Sequence, residues 1–128
     1  MTDAISSAQS ALGALSTAMA ATANNVANAD TDGYKSQEAQ LTTGPDGQGV
    51  QVAGIRRDDS SGGLNPTMVS GVNAAGVYEP SAGPSEMSNV DLARQTVNMV
   101  EASRAFEANV AVIRTADDMA GTLLDLRV

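Results

Sequence analysis

The 128 residues include no histidine, no cysteine and no tryptophan, and Tyr34, Tyr78 and Phe106 are the only aromatic side chains. Histidine is the usual general base near neutral pH and the commonest metal ligand, so catalysis would have to run on serines and carboxylates. Without cysteine there are no disulfides, no thiolate nucleophile and no zinc site with sulfur ligands, and neither a reducing nor an oxidising compartment is favoured. Few aromatics, and an apolar fraction of 42% carried largely by alanine, predict a thin core. Basic residues are scarce too: one lysine, Lys35, and scattered arginines make 7 positive charges against 15 negative, a net charge of −8. That balance argues against nucleic acid and anionic lipid as partners, since both need clustered cations. No stretch approaches the roughly 20 apolar residues of a membrane helix. The opening "MTDAISSAQSALGALSTAMAA" has neither a basic n-region nor a continuous apolar run. Neither membrane insertion nor a cleavable signal peptide is therefore expected.

The residues present organise into two periodic ends. Ile5, Ala8, Leu12, Leu15, Met19, Thr22 and Val26 are spaced alternately by three and four, which predicts a helix from about Asp3 to Val26. Leu92, Thr96, Met99, Ser103, Phe106, Val110, Ile113, Asp117, Ala120 and Leu124 repeat the pattern. Val97, Val100, Met119, Leu123 and Leu126 widen that stripe. Ser88 and Asp91 offer a variant capping box for a helix from about Asn89 to Leu126, roughly 55 Å long. Thr22, Ser103 and Asp117 interrupt the seams, either as register-setting polar residues or because those positions are partly exposed.

Between the ends, residues 41–87 hold "GPDGQG", "SSGGLNP", "SGVNAAG" and "EPSAGP", all turn chemistries. Only "GVQVAGI" alternates as a strand would, and "GVYEP" can pair with it as a small hairpin or stay extended. The expected fold is mainly α: two long terminal helices forming an antiparallel coiled-coil hairpin, joined by a Gly/Pro-rich segment with a small β-hairpin. The segments are 1–40 (N-terminal helix and turn), 41–87 (loosely ordered) and 88–128 (C-terminal helix), together one assembly domain. Burial of so slight a stripe falls short of the entropy lost on ordering two long helices, so the fold should be completed by assembly.

"ANNVANADTDGYK", residues 23–35, is the densest motif. Asn24, Asn25 and Asn28 stand where the helix should end, with Gly33 placed for positive φ; they can also contact a neighbouring subunit. A calcium loop is excluded by spacing: counting from Asp30, glycine falls fourth and the twelfth residue is Leu41 rather than glutamate. "GPDGQG" lacks the Lys-Ser/Thr of a phosphate loop. The candidates for hydrolysis are serines with Lys35 or carboxylate pairs such as Asp58/Asp59 and Asp117/Asp118, and the acid pairs read more simply as surface charge, with Arg114 and Glu101–Arg104 placed for helix ion pairs. The chain is therefore not expected to be an enzyme or to hold a metal or cofactor.

Residues 10–35, "SALGALSTAMAATANNVANADTDGYK", resemble the N-terminal signature of the bacterial flagellar rod and hook family, and residues 88–119, "SNVDLARQTVNMVEASRAFEANVAVIRTADDM", resemble its C-terminal signature. The short length and the strand after the first helix are similar to the small proximal-rod branch, whereas distal rod and hook members carry large inserted β domains. Asp32 stands where many relatives have proline. The resemblance implies a structural subunit of the basal-body rod in the periplasm. It implies export through the flagellar type III apparatus without a cleaved signal, and helical polymerisation with itself and other rod proteins through paired terminal helices. Assembly residues are then expected along both seams and signatures: Leu12, Leu15, Met19, Asn24, Asn25, Asn28, Gly33 and Tyr34 in the first half, and Asn89, Val97, Met99, Phe106, Asn109, Val110 and Ile113 in the second. The competing readings are a distal rod or hook-junction relative and a free-standing secreted helical interaction protein, the latter a stable monomer or dimer.

Overall fold

The computed structural model describes residues 2–65, 69–72, 74–81 and 84–126. Helix α1 runs Thr2–Ala27 and helix α2 runs Leu92–Asp125, about 39 and 51 Å long at 1.5 Å per residue. Both bounds lie close to those the periodicity predicts. The capping differs. Asp91 itself is the N-cap, its Oδ1 accepting from the amides of Ala93 at 2.9 Å and Arg94 at 3.2 Å, while the Ser88 hydroxyl accepts only the Val90 amide. A single carboxylate therefore satisfies two orphan helix donors and starts α2 three residues later than the Ser88-based box would.

Strand β1, Gln37–Thr43, pairs antiparallel with β2, Val50–Arg57, with a bulge between Gln40 and Leu41. "GPDGQG" closes this hairpin through positive φ at Asp46, Gly47 and Gly49. The expected pairing of "GVQVAGI" with "GVYEP" does not form: β5, Tyr78–Ser81, pairs with β4, Val69–Val72, and β3, Leu64–Asn65, with β6, Ser85–Glu86. The true partner of β2, "QEAQLTT", is mostly polar, with Ala39 and Leu41 its apolar residues, and it follows closely on the DTDG turn, so its alternation is short and weak. The turn residues Pro66, Asn73, Ala82 and Gly83 lie outside the described residues.

The first hairpin lies along α1. Gln37 is bonded to Asn25 near one end of the helix, and the Val50 amide donates to the Ser10 hydroxyl at 3.1 Å near the other. Fifteen helical residues cover about 22 Å and a seven-residue strand about 23 Å, so the two contacts are compatible without distortion. Gly49 is required at the second: at φ +68 it approaches Ser7 and Ser10 so closely that a Cβ would overlap the Ser10 hydroxyl.

α1 and α2 pack on each other, and the buried apolar residues among those described are Ala8, Ala14, Ala21, Ala102 and Ala116. The seams read in the sequence are met in part: on α1 the buried Ala8 and Thr22 lie on the seam, and Ala14, Ala21 and Asn25 stand one residue before Leu15, Thr22 and Val26. On α2 the buried positions Gln95, Ala102 and Ala116 keep the seven-residue period but precede Thr96, Ser103 and Asp117 by one residue. Thr96 and Asp117 are exposed and Ser103 is half-buried. On α1, Asn25 is buried while Val26 is 45% exposed. The buried Thr22 hydroxyl donates to the Ala18 carbonyl at 3.0 Å and so is satisfied within its own helix. Small side chains thus occupy the contact, and Leu12, Leu15, Met19, Met99, Phe106, Val110 and Ile113 flank it half-buried.

Candidate functional site

The two signature motifs meet in a polar junction at the end of α1 and the start of α2. At its centre the Asn25 side chain is 1% exposed. Its Nδ2 donates to the Gln37 carbonyl at 2.7 Å and to Gln95 Oε1 on α2 at 3.1 Å. Its Oδ1 accepts from the Gln37 amide at 2.8 Å and the Tyr34 hydroxyl at 3.1 Å. A carboxamide has two donors and two acceptor sites, and all are used. One side chain therefore ties α1 to the signature turn, to the first strand and to the second helix.

Asn89 is a second such centre. Its Oδ1 accepts from the Ser36 amide at 2.7 Å, and its Nδ2 lies 2.8 Å from the Asp58 carbonyl and 3.0 Å from the Ser60 carbonyl. Lys35, with 12% of its side chain exposed, reaches Glu86 Oε1 at 2.6 Å and the Ser60 carbonyl at 2.8 Å. Glu86 also accepts from the Gly62 amide through its side chain and from the Gly33 amide through its carbonyl. Gly33 at φ +70 makes the turn that aims its amide there. No buried side-chain nitrogen or oxygen among the described residues is left without a partner.

Hydrogen bonds from Lys35 and the Gly62 amide, followed by the Lys35 charge, hold the Glu86 carboxyl below its ordinary value of 4.5. The Ser60 backbone and side chain, with Arg56 and Arg94 behind them, hold Asp58 below its ordinary 3.8. Both carboxylates are therefore kept ionised, the opposite of what a general acid needs. Asp58, Asp59, Asp117 and Asp118 are all exposed. An open groove of about 680 Å³ runs beside the junction, with Leu15, Ala18 and Ala102 on its walls and Glu38, Arg56 and Arg94 at its rim.

The sequence-predicted residues divide by position. Asn25, Gly33, Tyr34 and Asn89 come together in the junction. Asn24 is exposed, and it receives the Asn28 amide at its carbonyl and side-chain oxygen, 2.9 and 3.0 Å away, which closes the last turn of α1. Val97 lies exposed on α2, and Asn109 bonds only the Ala105 carbonyl of its own helix at 2.8 Å. Among the described residues the ion pairs are Lys35–Glu86, Arg56–Glu38 and Arg57–Asp59. The expected pairs of Arg114 with Asp117 or Asp118, and of Glu101 with Arg104, do not form. For Arg114 the charge order opposes the helix dipole. Sequence reasoning missed Lys35, Gln37, Glu86 and Gln95. The available signals were a sole lysine and a glutamine standing in line with Ala102 and Ala116.

Residues 5–35 match the family model described as flagella basal body rod protein, and residues 82–126 match that of the flagellar basal body rod FlgEFG protein C-terminal. The flagellar basal-body rod protein FlgC of Salmonella typhimurium is 32% identical over 126 residues, covering 88% of this chain and 87% of that protein. The chain belongs to the flagellar basal-body rod protein family. FlgC of Borreliella burgdorferi is 37% identical over 78 residues, 57% of this chain and 47% of that protein. The flagellar hook protein FlgE of Helicobacter pylori is 30% identical over 79 residues, 62% of this chain, and the match spans only 11% of that longer protein. The two family models cover the two halves of the junction: Asn25 to Lys35 lie in one, and Glu86, Asn89 and Gln95 in the other.

Proposed function

We propose that this chain is a structural, non-enzymatic subunit of the flagellar basal-body rod, placed in its proximal part. The carrying observation is that a relative named as a rod protein aligns with nearly its whole length, and that the residues matching the two rod models build one satisfied polar junction. In this reading the terminal helices pair as an antiparallel coiled-coil hairpin, and segments 1–40, 41–87 and 88–128 act as one assembly domain. The subunits polymerise helically with themselves and with other rod proteins, after passage through the flagellar type III export apparatus without a cleaved signal. Neither a cofactor nor nucleic acid takes part. No described helix is long and apolar enough to cross a membrane. Leu12, Leu15, Met19, Met99, Phe106, Val110 and Ile113 position the helices, and Asn24, Asn28, Val97 and Asn109 face neighbours. Deleting the gene should abolish swimming and leave basal bodies without a complete rod by electron microscopy. Normal motility in a deletion strain lacking a paralogue refutes the proposal.

A further inference from the structure

Two of the chain's aspartates, Asp32 and Asp46, precede a glycine, and no asparagine does. An aspartate in that position can close a ring with the next residue, because glycine has no Cβ to shield its amide nitrogen from the neighbouring carboxyl carbon. The fold treats the two pairs differently. At the junction the Gly33 amide donates to the Glu86 carbonyl at 2.7 Å, inside the network that Lys35 and Asn89 tie down. At the hairpin tip the Gly47 amide meets the Gly44 carbonyl at 3.3 Å, and nothing lies within 4 Å of where a Cβ on Gly47 would stand. Asp46 is exposed, and among the described residues it alone combines a side chain with positive φ, +58. A left-handed aspartate is a strained link in an open turn.

We propose that Asp46 is a site of spontaneous conversion to isoaspartate, and that the conversion loosens the hairpin tip from α1. The Gly47 nitrogen gives up its proton and bonds to Asp46 Cγ, while the protonated carboxyl loses an oxygen as water, which leaves a cyclic succinimide. Water then adds at either ring carbonyl. Opening at Cγ restores aspartate. Opening at the main-chain carbonyl sends the backbone through Cγ and leaves the old carbonyl as a free carboxylate. The water lost on closure is regained on opening, so no oxidant, reductant or cofactor is needed. Ring closure turns the Asp46 carbonyl away from its present ψ of 20° and releases the long Gly47–Gly44 bond. The same step at Asp32 would break the short Gly33–Glu86 bond and disturb the turn that carries Tyr34 and Lys35 into the junction. The product carries an extra carbon in the main chain. It enters a tip closed by the Gly44 amide on the Gly49 carbonyl at 3.1 Å and seated on α1 through Gly49 and the Val50–Ser10 bond, so the added length is taken up at that seat.

The test ages the full chain in warm, mildly acidic buffer, which supplies the protonated carboxyl, beside a second sample unfolded in urea. Isoaspartate is counted by methyl transfer from S-adenosylmethionine with an isoaspartyl methyltransferase and placed at 32 or 46 by electron-transfer fragmentation. In the folded chain it should form at 46 about tenfold faster than at 32, and in urea the two positions should convert within about twofold of each other. Asp46→Glu, whose ring would need a further atom, should abolish conversion at 46 and leave that at 32 unchanged. Amide exchange at Val50 should be about fivefold faster in the converted chain than in the fresh one, with the same helix content by circular dichroism. Equal or greater conversion at 32 in the folded chain, no conversion at 46 while the unfolded chain converts, a preference for 46 that persists in urea, or unchanged Val50 exchange each overturns the proposal.

Discussion

Replacing Asn25 by alanine removes four hydrogen bonds at once, to Tyr34, to both backbone groups of Gln37 and to Gln95. At about 0.5–1.5 kcal/mol net for each bond the loss would span roughly 2–6 kcal/mol. Gln95 is 6% exposed, so its Oε1 stays buried without a donor, while Tyr34 and Gln37 are partly exposed and can recover water. The expected destabilisation is about 3 kcal/mol, a large share of the 5–15 kcal/mol of an ordinary domain, with a fall in Tm on the order of 10 °C. Asn24→Ala provides the matched control: its side chain is exposed and makes one bond, to Asn28, so it should cost less than about 1 kcal/mol. Urea unfolding of the full chain followed by circular dichroism measures both. A double-mutant cycle with Gln95→Ala should return a coupling of about 1 kcal/mol between the two helices. Equal losses for Asn24→Ala and Asn25→Ala, or a loss below about 1 kcal/mol for the latter, would show that the buried amide does not organise the fold.

Two further substitutions probe the ends of the same framework. Glu86 has its folded-state carboxyl held below the ordinary 4.5, so its bond to Lys35 contributes stability above that value and loses it as pH falls through the lowered one. Glu86→Gln should therefore narrow the stability gap between pH 7 and pH 3 in denaturant titrations, and an unchanged gap would contradict the role given to the pair. Gly49→Ala should cost about 1–3 kcal/mol in the same assay, because alanine at φ +68 is strained and its Cβ overlaps the Ser10 hydroxyl. A neutral result would mean that the hairpin tip is not held against α1.

Helix extent was legible in the sequence because a period of three and four repeats over many turns. The exact seam was not. A leucine or methionine draws the eye to its own position, yet the closest approach falls one residue away, on Ala102, Ala116 and Asn25. Strand β1 was hidden for a different reason: Ala39 and Leu41 are its only apolar residues, and its place is set by Asn25 and by Ser10 through the Gly49 turn rather than by its own short pattern. The junction itself is distributed over Asn25, Lys35, Glu86, Asn89 and Gln95, which span 70 positions between Asn25 and Gln95. The motif at 23–35 marked one side of it, but only tertiary structure reveals that its middle asparagine turns inward while Asn24 turns out.

The combination of alanine contacts and a four-bonded amide has a mechanical consequence. Methyl groups packed against methyl groups hold two helices together and offer little opposition to sliding along their common axis, because dispersion is nearly indifferent to direction. Hydrogen bonds depend steeply on angle as well as distance. In a pair whose buried apolar contacts are alanines, resistance to axial shear is therefore concentrated where Asn25 meets Gln95, at one end, and the remaining length is left free to shift by small amounts without breaking a directional bond. The directional hold between the two helices therefore sits at one end of the pair, and along the rest of it resistance to sliding falls to the side chains that flank the alanines.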